Sequence, residues 1–279
     1  MDLWNRREII GLMQAAGRIA FKHYEAPHAS LKGDESIVTL ADREIEAYFT
    51  ERLDRPEAGQ YLLGEETIEG KSEAYLEAAL KHTAWVVDPI DGTAPYSNHI
   101  PIWGISLGLM RGGRFVEGAI YLPVTREFLM SEGERIYYSS DLGLTGEAVL
   151  APFVPVRHPW CDSRLLALTQ GVAKRGSVDL KNPVMANCCA VMPLAYLLLG
   201  RYQAYLGSLK LWDFGGGLPL LLKAGFTVKR LDGVSLGAEV SPRDYHLEAG
   251  HPRRWRTKTD LVFAADDESA AKVLGAVKR

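Results

Sequence analysis

Apolar residues recur at helical spacing near the beginning of the chain. Between residues 5 and 24 they follow the three- and four-residue steps of an amphipathic helix: Ile9, Ile10, Met13, Ala16, Ile19 and Ala20. A second helix is predicted to begin after Thr39, whose hydroxyl can cap it, with Asp42 in the first turn. The inner face of this second helix would consist of Ile45, Tyr48, Phe49 and Leu53.

Short apolar runs that end at glycine, proline or acidic residues predict strands in the middle of the chain. These runs cover residues 61–63, 85–87, 104–110, 115–122 and 127–131. Gly112-Gly113 and residues 123–126 separate the last three runs as hairpin loops would. The middle of the chain is therefore predicted to be an antiparallel meander.

The second half of the chain alternates between strand and helix patterns. Strands are predicted at residues 165–169, 204–206 and 261–265, and helices at 186–199 (with an internal proline), 214–224 and 267–277. The pattern changes near residues 140–160, which predicts two sheet-containing halves, residues 1–150 and 151–279. The expected fold class is α+β.

Composition and charge argue against several classes of protein. The chain has 279 residues, and its 32 basic and 35 acidic side chains leave a formal net charge of −3, so we expect no nucleic acid polymer as a partner. The longest mostly apolar run, residues 191–199, is far shorter than the roughly 20 residues that span a bilayer, so we expect no membrane association. Early charged residues and three cysteines that cannot all pair predict a cytoplasmic protein.

The segment Asp88-Pro89-Ile90-Asp91-Gly92-Thr93 contains the most informative chemistry. Pro89 restricts the turn, so that two carboxylates and the Ile90 carbonyl can face one point. Oxygen ligands of this kind suit a hard cation such as Mg²⁺. A helix that begins at Gly92, Thr93 and Ala94 would point free N–H groups at an anion. A metal site beside such a helix is typical of a phosphate site.

Further carboxylates lie at the predicted ends of elements: Asp42, Glu65, Glu66 and Asp213. Each one alone is more typical of a solvated helix cap, but together with the aspartate turn they indicate one acidic site. Four carboxylates at this site and a phosphate monoester dianion would carry six negative charges. Two or three divalent cations would balance them.

These motifs, in this order, resemble those of the inositol monophosphatase superfamily. The matching segments are residues 37–42 (IVTLAD), 64–66 (GEE), 85–93 (WVVDPIDGT) and 212–213 (WD). The resemblance implies a layered αβαβα sandwich of the sugar-phosphatase type and Mg²⁺-dependent hydrolysis of a small phosphate monoester. It also implies a homodimer and, as in many members, sensitivity to lithium.

The resemblance implies two to three Mg²⁺ ions and assigns their ligands. Glu65, Asp88 and the Ile90 carbonyl would hold the first ion. Asp88, Asp91 and Asp213 would hold the second, and Glu65 with water would hold a third, weaker one. The sequence does not separate Glu65 from the adjacent Glu66 as the ligand.

The resemblance also assigns catalytic and phosphate-binding groups. Thr93, oriented by Asp42, would help to deprotonate the attacking water, with Glu65 at the same centre. The backbone of Gly92, Thr93 and Ala94 would bind the phosphate.

Departures from the family pattern concern the alcohol part of the substrate. Leu206 stands where inositol phosphatases often have a substrate-binding glutamate, and Asn187-Cys188 stands where a Gly-Ser or Gly-Thr pair commonly contacts the substrate. A bulky Phe214 follows the Trp-Asp pair, where small residues are usual. The substrate is therefore open between an inositol phosphate, histidinol phosphate, fructose 1,6-bisphosphate and a 3′-phosphonucleotide.

Two other classes of protein share parts of this pattern. Haloacid-dehalogenase-like phosphatases also carry an Asp…Asp-Gly-Thr segment, but one residue separates their two aspartates, whereas two separate Asp88 from Asp91. A metal-binding regulatory protein without turnover would permit the altered Asn187 and Leu206. Such a protein would not need Thr93 and a complete set of metal ligands.

Overall fold

The computed structural model describes residues 3–31, 33 and 37–278. Residues 1, 2 and 279, the ends of the two predicted halves, lie outside this range. The α-helices are Arg6–Tyr24 (α1), Leu40–Leu53 (α2), Glu73–Lys81 (α3), Thr93–Ser97 (α4), Gln170–Arg175 (α5), Val191–Leu198 (α6), Leu211–Gly215 (α7), Leu218–Lys223 (α8) and Asp267–Ala276 (α9). Short 3₁₀ turns occur at Pro56–Ala58 and Ile68–Gly70. Within the described residues, every helix is too short or too polar to cross a bilayer.

The larger sheet contains seven strands, of which all but the last come from the first half of the chain. In spatial order they are Gln60–Gly64 (β3), Thr83–Asp91 (β4), Gly104–Arg111 (β5), Arg114–Leu122 (β6), Glu127–Glu132 (β7), Arg135–Ser139 (β8) and Ala151–Pro152 (β9). β3 is parallel to β4, and the other neighbours are antiparallel. The predicted meander is confirmed from β5 to β7.

The smaller sheet contains five strands and comes from the second half. In spatial order they are Val184–Asn187 (β12), Leu165–Thr169 (β10), Tyr202–Gly207 (β13), Leu261–Ala264 (β15) and Thr227–Arg230 (β14). β10 is parallel to both of its neighbours, whereas β15 is antiparallel to β13 and β14. Two further antiparallel pairs join Ser30–Leu31 (β1) to Ile37–Val38 (β2), and Ser177–Val178 (β11) to Val277–Lys278 (β16).

Buried apolar clusters show how the layers stack. The apolar faces of α1 and α2 pack on one side of the larger sheet. Helices α6, α7 and α8 lie between the two sheets, and their cluster includes residues from both. Helices α5 and α9 cover the outer side of the smaller sheet. This order of layers confirms the predicted αβαβα sandwich and the α+β class.

The boundary between the two sheets falls between β9 and β10, close to the predicted division at residue 150. One apolar cluster joins both sheets, for example through Leu63 of β3 and Phe263 of β15. We therefore keep two halves, 1–150 and 151–279, as a proposal about organisation.

Helix α2 begins where its capping signal predicts. The Thr39 hydroxyl accepts the N–H of Asp42, and the Asp42 carboxylate accepts the N–H of Thr39 at 2.8 Å, which closes a reciprocal capping box. The inner face of α2 contains the expected Ile45 and Phe49. It also buries two acids, Asp42 and Glu46, although charged side chains usually lie in solvent.

Three predicted elements differ from the structure. Residues 186 and 187 belong to β12, and the helix begins only at Val191, so that Pro193 lies in its first turn and costs no interior hydrogen bond. The predicted helix 214–224 is two helices, α7 and α8, because Pro219 starts a new helix after a glycine run. Strand β4 continues through Asp91 instead of ending at Asp88.

Glycines allow α7 to touch the larger sheet directly. A Cβ atom on Gly216 would lie 2.3 Å from the carbonyl oxygen of Ala119, and one on Gly118 would lie 2.2 Å from the Gly216 carbonyl oxygen. The buried Ser106 hydroxyl donates to the Trp212 carbonyl at 2.9 Å and accepts the Gly216 N–H at 2.9 Å. This contact attaches the helix that carries Asp213 to the strand next to β4.

We expect Gly216→Ala to destabilise the protein by about 1–3 kcal/mol, because the added methyl group meets backbone atoms that cannot rotate away. The matched control is Gly275→Ala on the exposed side of α9, where the new methyl group meets open space and should be neutral or slightly stabilising. Thermal unfolding of both variants measures the difference. Equal melting temperatures for Gly216→Ala and the wild type would contradict the close contact.

Candidate active site

Three aspartates from two distant parts of the chain meet in one place. Carboxylate oxygens of Asp88, Asp91 and Asp213 all lie within 4.8 Å of one another. Asp88 and Asp91 lie on β4, and Asp213 lies in the first turn of α7. Residues three apart on a regular strand face opposite sides, but the pairing of β4 with β5 is irregular between Asp88 and Asp91. That irregularity lets both carboxylates reach the same point.

Glu65 joins this cluster from the neighbouring strand. Its N–H donates to the carbonyl of Val87 at 3.3 Å, so the residue follows β3 directly beside Asp88. Glu65 lines the same cavity of about 1000 Å³ as the three aspartates. Glu66 does not line it, so the geometry favours Glu65 of the two adjacent acids.

Backbone N–H groups hold one side of the aspartate cluster. One oxygen of Asp91 accepts the N–H groups of Ala190 (2.6 Å) and Val191 at the start of α6, and also the thiol of Cys189 (2.9 Å). One oxygen of Asp213 accepts the Lys210 N–H at 2.7 Å. Asp91 and Asp213 are thus each oriented through one oxygen by backbone N–H groups at the start of a helix.

Burial and mutual repulsion raise the pKa values of these acids. Burial, followed by the charge of Asp213, raises the pKa of Asp91 to about 7. Burial, followed by the charge of Glu65, raises the pKa of Asp213 to about 6. The pKa of the buried Asp88 lies well above its usual value for the same two reasons, with Glu65 as the leading charge. The negative charge of these carboxylates therefore exceeds what the protein's own cations neutralise.

The donor set fits divalent cations. The Oδ1 atom of Asp88 is buried and has no hydrogen-bond partner within residues 3–31, 33 and 37–278. Carboxylate oxygens that repel one another are hard ligands, as Mg²⁺ prefers. The Ile90 carbonyl borders the same cavity and accepts the Thr93 hydroxyl at 3.1 Å, which leaves it a second lone pair.

Thr93 and Asp42 meet at the edge of the cluster. The Thr93 hydroxyl lies 3.4 Å from Oδ1 of Asp42, while the other oxygen of Asp42 is held by the backbone and hydroxyl of Thr39. Burial raises the pKa of Asp42 to about 7. Gly92, with φ of 93°, turns the chain from β4 into α4, and a Cβ atom there would lie 2.7 Å from the Ile102 carbonyl oxygen. Glycine is therefore required at this turn.

The predicted substrate-contacting residues are only partly brought to the site. Asn187 and Cys188 line the cavity, and Oδ1 of the buried Asn187 has no partner in the described part of the chain. Leu206 does not line it, because its side chain lies in the apolar cluster beneath α5 and α9. Its neighbour Tyr205 lines the cavity, since adjacent strand residues face opposite sides. The expectation that Leu206 faces the substrate is therefore wrong by one strand position.

Two functional candidates were not found from the sequence. Cys189 carries no local sequence signal for a site, but its thiol donates to the Asp91 carboxylate. Glu46 is completely buried and accepts the Glu66 N–H at 2.8 Å, directly after Glu65. A Cβ atom on Gly64 would lie 2.3 Å from the Glu46 carboxyl carbon, so the Gly-Glu-Glu turn closes over this acid. An acid on the apolar face of α2 was the available signal.

Comparison with known proteins agrees with this geometry. The model of the inositol monophosphatase family matches residues 6–270. The chain belongs to the inositol monophosphatase family. An inositol-1-monophosphatase of Mesorhizobium japonicum is 31% identical over 216 residues, which cover 73% of this chain and 76% of that protein. The Nus factor SuhB of Escherichia coli K12 is 26% identical over 230 residues, which cover 78% of this chain and 82% of that protein.

A solved structure shows the same fold. The SuhB protein of Bartonella henselae superposes with a TM-score of 0.71 over 95% of both chains, at 20% sequence identity. Membership of the inositol monophosphatase family makes this chain a phosphomonoesterase. The family match includes every candidate metal ligand named above, from Glu65 to Asp213.

Raised pKa values make the stability of the metal-free protein depend on pH. Between about pH 4 and about pH 7 the folded acids keep protons that the unfolded chain has lost, so stability falls as pH rises through this range. Divalent cations that bind the deprotonated cluster would reverse this loss. We expect excess Mg²⁺ to raise the melting temperature by at least about 3 °C more at about pH 8 than at about pH 5. Asp91→Asn should reduce that difference, whereas the control Asp141→Asn, at an exposed residue, should not. Equal shifts of the melting temperature by Mg²⁺ at both pH values would contradict this interpretation.

Glu46 should act on metal binding through the turn that carries Glu65. We expect Glu46→Ala to raise the Mg²⁺ concentration for half-maximal thermal stabilisation by about 10–100-fold, the usual effect of removing a group that orients a ligand. Glu46→Gln should stay close to the wild type, because its amide oxygen can still accept the Glu66 N–H. The control is Glu44→Ala on the same helix, which loses only contacts to Lys22 and His23. Unchanged Mg²⁺ dependence in Glu46→Ala would remove Glu46 from this role.

Proposed function

We propose that the protein hydrolyses a small phosphate monoester with Mg²⁺, as an inositol monophosphatase-like enzyme. The observation that carries the proposal is the meeting of Asp88, Asp91 and Asp213 within 4.8 Å, beside the start of α4. Buried carboxylates at this density need cations, and the adjoining helix start offers N–H groups to an anion. Both halves of a metal–phosphate site therefore lie in one cavity.

Two to three Mg²⁺ ions would be held by residues that already line this cavity. Glu65, Asp88 and the Ile90 carbonyl fit the first ion, and Asp88, Asp91 and Asp213 fit the second. Glu65 with water would hold a third. Bound Mg²⁺ supplies neutralisation of phosphoryl charge and makes water a better nucleophile near neutral pH.

Thr93 and Asp42 are placed to move a proton. The Thr93 hydroxyl lies within reach of both the Ile90 carbonyl and Oδ1 of Asp42. When it turns its hydrogen toward Asp42, it would pass that hydrogen to Oδ1 while its oxygen accepts one from the attacking water. A base works best when its pKa lies near the working pH, and burial brings Asp42 to about 7. Thr39 holds the other carboxylate oxygen, so Asp42 keeps one oxygen directed at Thr93.

The phosphate would be bound by backbone groups and the alcohol by side chains. The N–H groups of Gly92, Thr93 and Ala94 lie in the first turn of α4 and have no acceptor within the helix. Asn187 and Cys188 line the cavity beside this site and are proposed to contact the alcohol part. Inositol phosphate, histidinol phosphate, fructose 1,6-bisphosphate and a 3′-phosphonucleotide all remain candidate substrates. We also propose a cytoplasmic, lithium-sensitive homodimer.

A second candidate function is a metal-binding regulatory protein without turnover. The observation that favours it is the likeness to a relative named as a Nus factor in Escherichia coli. The two candidates share the metal site and differ in whether phosphate is released.

Phosphate release from a panel of monoesters, with Mg²⁺ and with a chelator, tests the proposal. We expect activity only with Mg²⁺ and a fall of at least about a hundredfold in kcat for Asp91→Asn, because the variant loses a cation that stabilises the transition state. The control is Asp141→Asn, an exposed carboxylate outside the cavity, which should keep full activity. Activity that survives chelation, or a loss of kcat below about tenfold in Asp91→Asn, would contradict the assignment. Mg²⁺ binding without turnover of any ester would favour the regulatory candidate.

A further inference from the structure

The cavity that contains the carboxylates is also lined by cationic side chains that the proposed mechanism does not use. Lys174 and Arg175 come from α5, and Arg253 and Arg256 come from the segment before β15. These elements both belong to the second half of the chain, whereas Glu65, Asp88 and Asp91 come from the first. The cavity therefore combines an acidic cluster with a separate set of four positive charges.

The four cations form few interactions with the protein's own carboxylates. The charge of Arg256 limits the rise in the pKa of Asp213. None of them forms an ion pair with a carboxylate in the part of the chain that the structure describes. Arg256 donates to the Ser208 carbonyl at 2.9 Å, and Arg253 lies 3.4 Å from the Ser208 hydroxyl. Both guanidinium groups thus gather at one residue of the cavity wall. Lys210 differs, because its ammonium group lies 3.6 Å from Glu65.

Arg175 also borders the cavity, although its side chain is exposed. A Cβ atom on Gly171 would lie 2.9 Å from Nη2 of Arg175, so the guanidinium folds back over that glycine. Gly171 itself lines the cavity. Three guanidinium groups therefore border the same space, and guanidinium is the side-chain group that best matches phosphate and carboxylate oxygens.

The phosphate that is hydrolysed does not need these four charges. Three divalent cations at Glu65, Asp88, Asp91 and Asp213 would balance that phosphate together with the carboxylates, and the first turn of α4 adds N–H groups. Lys174, Arg175 and Arg253 then remain at the cavity without a carboxylate partner in the described part of the chain. A volume of about 1000 Å³ lies at the upper end of small-molecule sites and leaves room for a second charged group.

We propose that Lys174, Arg175, Arg253 and Arg256 form a second anion subsite, and that the substrate carries another phosphate or carboxylate besides the phosphate that is hydrolysed. The inference rests on the proposed function for the position of the reacting phosphate. It narrows the substrate class to phosphate monoesters of acidic metabolites, including bisphosphates. A neutral polyol monophosphate would leave the subsite empty.

Matched pairs of compounds test the subsite on the full-length protein with Mg²⁺. 3-Phosphoglycerate and glycerol 3-phosphate differ in a carboxylate, and fructose 1,6-bisphosphate and fructose 1-phosphate differ in a phosphate. Phosphate release gives kcat/KM for each compound, and calorimetric titration gives its Kd. We expect the doubly anionic member of at least one pair to be favoured by at least about tenfold in both quantities, the effect of one charge-assisted hydrogen bond. The pair that shows the preference identifies the second group as carboxylate or phosphate.

Two variants connect this preference to the named cations. The first variant is Arg253→Gln, and the second combines Lys174→Gln with Arg175→Gln; all three residues are exposed. Each variant should reduce the preference for the doubly anionic compound by about tenfold. The constants for the singly anionic compounds should stay within about twofold of the wild type. Arg7→Gln on α1 is the control, since it removes an exposed charge outside the cavity. Higher salt should weaken the preference as well.

Each outcome decides the proposal. Equal constants for both members of both pairs overturn it, and so does a preference that all variants retain. If no compound releases phosphate, the proposed function fails, and the binding constants still decide the subsite. Tighter binding of the doubly anionic compounds that Arg253→Gln abolishes would then support the subsite alone.

Discussion

Mutual repulsion between carboxylates buried together is the constraint on which the rest of the structure depends. Two such charges about 4 Å apart repel by roughly 4 kcal/mol even at an effective dielectric constant of 20. Asp88, Asp91 and Asp213 are closer to one another than free side chains would choose, and their raised pKa values record the cost. A rigid scaffold keeps them there, and either bound protons or bound cations relieve the repulsion.

The scaffold meets this constraint by attaching the acids to fixed elements, Asp88 and Asp91 to β4 and Asp213 to α7. The irregularity in β4 brings Asp88 and Asp91 together. The start of α6, which belongs to the second half, holds Asp91 through two backbone N–H groups. The glycine contact between α7 and the larger sheet fixes Asp213 against the same strand region. The active-site cavity thus opens where the two sheets are joined, and the second half supplies its cationic side. In the proposed function, most metal ligands and the phosphate-binding groups come from the first half, and the residues that select the substrate come from the second.

Local signals allowed much of this to be predicted. The capping residues of α2, the Asp-Pro-Ile-Asp-Gly-Thr turn and the layer order all follow from short-range patterns and the family resemblance. Tertiary contacts decided the rest. The break between α7 and α8 and the burial of Glu46 depend on glycines that approach distant backbone or side-chain atoms. The substrate side depends on strand register, and a shift of one residue exchanges Leu206 for Tyr205.

The central claim is that the acidic cluster exists to collect divalent cations. The most direct test is crystallographic: crystals soaked with Mn²⁺ as a substitute for Mg²⁺ should show anomalous scattering at two or more positions. Those peaks should touch carboxylate oxygens of Glu65, Asp88, Asp91 and Asp213, about 2.0–2.3 Å from each metal, as expected for oxygen ligands. A map that shows Mn²⁺ at full occupancy at other positions, with no anomalous peak between Asp88, Asp91 and Asp213, would contradict the account.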